Sequence, residues 1–240
     1  MGKTSNMKLK AIFVDIDNTL LDFDEYVRQT MKDGFIHFGL KAYEPWMYDI
    51  FKRENDKLWR KIELAEITFE ELQKVRWNII FELIGIDFDG PTFETYFRKA
   101  LFDSYIIVDG SVEMLAHLAS NYLVCAASNG PSYQQNRRLG LADMTKYFDH
   151  IFISEDCGIS KPAAGFFDYC FEKINEGRAE EDKIKPEECL IIGDSMTSDM
   201  AGGREYGMKT CFYRRNPAQK IEDGSVDWIV DELTEIINIV

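Results

Sequence analysis

The 240-residue chain predicts an α/β fold: a mostly parallel sheet with a purely helical segment inserted early in the chain. Three observations carry this expectation. From Ile106 onward, apolar runs of strand length alternate with helical stretches, which is the pattern of parallel βαβ units. A further apolar run at residues 9–14 must join that later set, because a single buried strand is not stable alone. Between the two, from about Asp24 to Ser104, the apolar spacing is helical and no strand-like run of comparable strength occurs.

Taken in order, the run Leu9–Val14 supplies the first strand and delivers Asp15 at its end. The first helix is expected from about Asp24 to Gly39, and the second from near Pro45, a residue suited to a first helical turn, to about Ala65. The third has the clearest start, a capping box of Thr68 and Glu71 ahead of Leu72, Val75, Ile79 and Ile80. The fourth opens at Pro91 and fades near Ser104. Strands follow at Tyr122–Ala127, His150–Ser154, Cys189–Ile192, Lys209–Tyr213 and Trp228–Val230. Residues 1–22 and 106–240 therefore form a core and residues 23–105 an insertion, hinged near Leu21–Asp24 and Tyr105–Gly110. The charged stretch Asn175–Glu188 reads as a solvated helix end and loop.

With 45% hydrophobic and 29% charged residues, the composition is that of a globular protein. The five cysteines show no metal-type pairing, and Cys125, Cys189 and Cys211 sit in apolar runs. A cytoplasmic setting without disulfides or zinc is expected. No apolar stretch approaches bilayer-spanning length, and no signal peptide is recognisable. Met1-Gly2 is discounted as a lipidation signal, because that motif wants Ser or Thr where Asn6 stands. The formal charge of −14 argues against a nucleic-acid polymer as partner, which needs a basic footprint. A small anionic substrate, no membrane partner, and a monomer or weak homodimer are expected. Such a substrate would need local cations, meaning a bound metal and a few well-placed Lys or Arg.

Four apolar runs end in, or lead to, residues able to handle a phosphoryl group. Val14 leads into Asp15-Ile16-Asp17-Asn18-Thr19-Leu20, and Ala127 into Ser128-Asn129-Gly130. Downstream of Ile151–Ser154 comes Lys161-Pro162, while Ile191-Ile192-Gly193 delivers Asp194, followed by Asp199. In a parallel sheet all four sets meet along one edge. Phosphate monoesters hydrolyse very slowly unaided, so a site must neutralise the phosphoryl oxygens and align nucleophile with leaving group. Asp15 attacks as a carboxylate, and Mg²⁺ held by Asp15 and Asp194 keeps both ionised. Asp17 carries a proton to the leaving oxygen and then serves as base; neighbouring ionised carboxylates would raise its pKa. Ser128 with the backbone N–H groups of Asn129 and Gly130 holds the phosphate, and Lys161 adds a fixed positive charge. Asp199 is either a group ordering metal-bound water or an N-cap. His37, His117 and His150 form no cluster. The insertion's aromatics, among them Phe23, Phe35, Tyr43, Trp46, Trp59 and Trp77, are at helical spacing mostly core, with one or two near substrate.

These four motifs, in this order and spread over the whole core, resemble the signatures of the haloacid-dehalogenase-like superfamily and specifically its phosphatases. The helical insertion resembles the small α-helical cap of that superfamily's first subclass. The resemblance implies a Rossmann-like three-layer core, Mg²⁺ dependence, an aspartyl-phosphate intermediate, and the backbone carbonyl of Asp17 as a further metal ligand. The strings Gly193–Gly203 and Gly207–Cys211 are similar to the noncanonical pyrimidine 5′-nucleotidase branch, which implies a nucleoside 5′-monophosphate as substrate and a closing cap that selects it. The same catalytic residues also serve a phosphosugar or phosphoglycolate phosphatase or a phosphoglucomutase-like enzyme. A dehalogenase has no use for Asp17 or a metal, and a non-catalytic phosphate-binding relic would commonly lack the nucleophile.

Overall fold

The computed structural model describes residues 8–240; Met1-Gly2 and Asn6 lie outside the described residues. In chain order the elements are β1 (Ala11–Val14), the helices α1 (Phe23–His37), α2 (Pro45–Glu63), α3 (Phe69–Ile84) and α4 (Gly90–Phe102), then α5 (Ser111–Asn121), β2 (Leu123–Ser128), α6 (Ser132–Leu141), β3 (His150–Ile153), α7 (Ser154–Cys157), α8 (Ala164–Ile174), β4 (Cys189–Gly193), α9 (Ala201–Tyr206), β5 (Lys209–Tyr213) and β6 (Trp228–Val230). They divide into two compact units, one from the described N-terminal residues to Leu21 together with Ile107–Val240, the other Asp22–Ile106.

In the first unit the strands form one sheet in the order β3-β2-β1-β4-β5-β6, and every pairing is parallel. Alternation along β1 explains the layers. Ile12 and Val14 pack with Met114, Leu115 and Leu118 of α5 and with Leu233 and Ile236, whereas Ala11 and Phe13 pack with Phe166, Phe167 and Cys170 of α8. Because both faces are covered, the central strands read as unbroken apolar runs. The strand order reverses direction between β1 and β4, and that switch point opens a crevice at the carboxyl ends of the two strands. Strand limits differ from the sequence reading by a residue or two; Leu9 and Lys10 precede the pairing that begins at Ala11. The Asn175–Glu188 stretch contains two 3₁₀ turns, Glu180–Asp182 and Pro186–Glu188.

The insertion leaves and returns at one point. Leu21 forms an antiparallel bridge with Ile107, and the Asp22 N–H donates to the Ile106 carbonyl at 2.7 Å. All five cysteines are free thiols, and four are buried. Among the described residues no helix is long and apolar enough to cross a membrane.

The second unit is helical throughout. Thr68 accepts from the Glu71 N–H at 3.2 Å while Glu71 accepts from the Thr68 N–H at 2.8 Å, so α3 starts at its capping box. It stops at Gly85, whose φ of 67° is left-handed. Phe35 and Trp77 are buried in an aromatic core with Phe81, Phe93 and Phe97, whereas Trp46 is 42% exposed. Through this apolar core runs a buried ion pair. Arg76 of α3 grips Glu94 of α4 by Nη2–Oε1 at 2.7 Å and Nε–Oε2 at 3.1 Å, and its Nη1 donates to Asn55 of α2 at 3.0 Å. Removing one partner leaves a buried charge unpaired. Glu94→Ala is expected to destabilise the helical unit by about 3–5 kcal/mol. Urea unfolding followed by tryptophan fluorescence tests this, with Arg76→Met/Glu94→Leu expected to recover most of the loss.

Candidate active site

At the end of β1, the Asp15 N–H still donates to the Ile192 carbonyl of β4 at 2.9 Å, so the sheet fixes the backbone that carries this carboxylate. The chain then turns sharply. Asn18 adopts a φ of 61°, a left-handed conformation that Asn tolerates better than most residues, and the Leu20 and Leu21 N–H groups fold back onto the Ile16 carbonyl. Asp15 and Asp17 thereby meet different surroundings.

Asp15 faces a buried ammonium. Lys161 Nζ donates to Asp15 Oδ1 at 2.9 Å, to Asp199 Oδ1 at 2.6 Å and to the Ala127 carbonyl at 2.5 Å, so its three protons meet three acceptors from three segments. The sequence reading gave Lys161 to the phosphate; here its hydrogen bonds go to the carboxylates and to β2. Its own backbone is held by Asn129, whose side chain accepts from the Lys161 N–H at 2.8 Å and donates to the Lys161 carbonyl at 2.9 Å. That side-chain role needs a partner 32 residues away and left no trace in the sequence.

Asp199 lies inside a π-helical turn, Met196–Met200, whose N-cap is Ser195, so the N-cap alternative for Asp199 does not hold. Its carboxylate folds back over the end of β4 and its Oδ2 accepts from the Ser195 N–H at 3.1 Å. This close approach explains the glycine before Asp194: a Cβ on Gly193 would stand 2.2 Å from Asp199 Oδ2. Asp15, Asp194 and Asp199 each offer an oxygen within 4.8 Å of one another.

Asp17 is gripped from α6. Arg138 Nη1 donates to Asp17 Oδ1 at 2.6 Å, and Gln135 Nε2 donates to Asp17 Oδ2 at 2.7 Å. The sequence reading expected ionised carboxylates near Asp17; the structure adds a guanidinium and an amide. The sequence reading named neither Gln135 nor Arg138, yet both side chains are buried. The available signal was their i, i+3 spacing just behind Ser128-Asn129-Gly130. Ser128 is also buried, and its Oγ accepts from Gln135 Nε2 at 2.8 Å.

The sequence profile of the haloacid dehalogenase-like hydrolases matches residues 9–207, most of the chain. The chain belongs to this family. Among relatives of this HAD-like hydrolase, the pyrimidine 5′-nucleotidase PynA of Streptococcus pneumoniae is 32% identical over 86% of this chain and 84% of its own length. The pyrimidine 5′-nucleotidase YjjG of Escherichia coli is 28% identical over 96% and 97%. Bacillus subtilis YfnB is 28% identical over 97% and 95%. The crystal structure of YfnB, bound to magnesium, superposes with a TM-score of 0.85 at 27% identity, covering 97% of this chain and 98% of that one.

A divalent cation fits the carboxylate cluster of this HAD-like hydrolase on two counts. The donors are all hard oxygens, the set that Mg²⁺ and Mn²⁺ take. In addition, Asp15 and Asp199 share the single ammonium of Lys161, so two carboxylates meet one positive charge there. Electrostatics register the excess. Burial, then the negative charges of Asp199 and Asp17, push the Asp15 carboxyl from its ordinary value of 3.8 up to about 7, against the pull of Lys161. Burial alone would lower Lys161, but Asp15 and Asp199 outweigh it and hold the ammonium above the usual lysine range.

A carboxyl whose folded pKa is raised stabilises the fold at low pH and loses that contribution as pH rises through the folded value. In EDTA, wild type should therefore lose melting temperature relative to Asp15→Asn as pH rises from about 5 to about 8. Differential scanning calorimetry of the pair measures it, and a pH-independent difference would contradict the burial of Asp15 as a strained charge.

Proposed function

We propose that this HAD-like hydrolase is a Mg²⁺-dependent phosphomonoesterase that works through an aspartyl-phosphate and acts on nucleoside 5′-monophosphates of the pyrimidine class. The observation that carries the reading is the contrast between two carboxylates two residues apart. Asp15 sits on Lys161 beside Asp194 and Asp199, whereas Asp17 is turned away onto Arg138 and Gln135 and keeps 32% side-chain exposure. One is set as nucleophile, the other as proton carrier. The names of the two pyrimidine 5′-nucleotidase relatives support the substrate class.

In this mechanism Asp15, Asp194 and the Asp17 carbonyl would hold the ion, with Asp199 adjacent. Bound there, the ion supplies positive charge that screens the phosphoryl oxygens from the carboxylates. Ser128 and the Asn129 and Gly130 N–H groups bind those oxygens, and Lys161 adds its positive field without surrendering its own hydrogen bonds. An Asp15 oxygen attacks phosphorus and the bond from phosphorus to the ester oxygen breaks. That oxygen takes a proton from Asp17 and leaves as the nucleoside hydroxyl. Asp17, now a carboxylate, accepts a proton from water as the water attacks phosphorus, which frees phosphate and restores Asp15. The helical unit, rather than the core, is the proposed source of substrate selection.

Phosphate release from a panel of nucleoside monophosphates, sugar phosphates and phosphoglycolate, with Mg²⁺ present, tests the reading. Pyrimidine nucleotides should rank first, EDTA should abolish turnover, and an isomerised phosphosugar in place of free phosphate would indicate a mutase. Asp15→Asn should lose at least about 10⁴-fold in kcat with the fold intact. Asp17→Asn should lose about 10²–10⁴-fold. An active Asp15→Asn protein would defeat the covalent route.

A further inference from the structure

The phosphatase reading assigns Asp17 its chemistry but leaves open what sets the direction of its carboxylate. Two polar side chains of α6 are buried behind it, with Gln135 at 0% exposure and Arg138 at 1%. Their hydrogen bonds admit one arrangement. Arg138 only donates, and its Nη1 lies 2.9 Å from Gln135 Oε1, so the oxygen end of the amide must face the guanidinium. The nitrogen end then points the other way, where its two protons reach Asp17 Oδ2 at 2.7 Å and Ser128 Oγ at 2.8 Å. The same Arg138 Nη1 also meets Asp17 Oδ1. Each Asp17 oxygen keeps a second lone-pair position, so this grip leaves room for a proton on the carboxyl.

Ser128 is polarised by the same chain of bonds. Its Oγ accepts from Gln135 Nε2 and, at 3.3 Å, from the Gly130 N–H. With both lone pairs engaged, the hydroxyl has its proton left to give. Gly130 makes the approach possible, since a Cβ there would meet Gln135 Nε2 at 2.7 Å.

We propose that Arg138 and Gln135 are positioning residues that hold Asp17 by both carboxylate oxygens and turn the Ser128 hydroxyl outward as a donor to the phosphoryl group. This rests on the phosphatase reading above. Arg138 fixes the amide, the amide fixes the serine, and both fix the proton carrier; both residues act on substrate only through Asp17 and Ser128.

Leaving-group dependence tests the proposal. Uridine 5′-monophosphate expels an alkoxide that needs a proton, whereas p-nitrophenyl phosphate expels a phenolate that leaves without one. In the full chain with Mg²⁺, Gln135→Glu, which keeps size but removes both donors, and Arg138→Gln should lower kcat/KM for the nucleotide at least about tenfold more than for the nitrophenyl ester, within the span of general acid catalysis. In an Asp17→Asn background that contrast should disappear, because the proton that distinguishes the two leaving groups comes from Asp17. If Arg138→Gln does not fold, Arg138→Lys carries the same comparison, and it should recover part of the nucleotide rate. Equal falls on both esters, or the same contrast with and without Asp17, would overturn the proposal while leaving the phosphatase reading in place. A wild-type protein inactive on both esters would bring down the reading and the proposal together.

Discussion

Lys161 is the group on which the arrangement of the crevice depends. Its ammonium joins the end of β1 through Asp15, the end of β2 through the Ala127 carbonyl, and the turn after β4 through Asp199. An ammonium taken out of water is tolerated only when all its protons find acceptors, and here each does. The neighbouring features follow from keeping that ammonium in place. Asn129 locks its backbone from both sides, and Gly193 withholds the side chain that would push Asp199 away. Three strands of a parallel sheet can be brought into register by apolar packing alone, but packing has no means of aiming three oxygens at one point. The buried charge does that.

The excess of negative charge around Lys161 is the counterpart of this. A fully neutralised cluster would be more stable by itself, and would have little affinity for a cation. With two carboxylates sharing one ammonium, part of the folding free energy is tied to whatever completes the site.

Much of this was legible in the sequence, for definable reasons. The strands of the core stand out because a doubly covered parallel sheet needs unbroken apolar runs, and α3 because Thr68 and Glu71 solve a local problem of unpaired N–H groups within four residues. Asp15, Asp17, Ser128 and Asp194 are legible as residue types at or just after strand ends, and Lys161 as a basic residue downstream of β3. The contacts among them are not. Arg138 reaches Asp17 across 121 positions, Asn129 reaches Lys161 across 32, and Arg76 reaches Glu94 across 18. A buried polar side chain is indistinguishable in sequence from a solvated one until its partner is known, so Gln135 and Arg138 did not stand out. The guanidinium and the amide beside Asp17 were therefore not foreseen.

The neck formed by Leu21, Asp22, Ile106 and Ile107 has a consequence for descent. Seen from the sheet, the helical segment is a hairpin of no length, since the chain departs and re-enters through adjacent hydrogen bonds. Closing that loop costs entropy that grows only slowly with what lies beyond the neck. The segment can lengthen, shorten or be exchanged for another without shifting the register of β1 against β2 or the grip of Lys161. With the helical unit proposed as the source of substrate selection, such a joint would let the reaction stay constant while its clientele diversifies, with selection acting on the two parts almost as separate heritable modules.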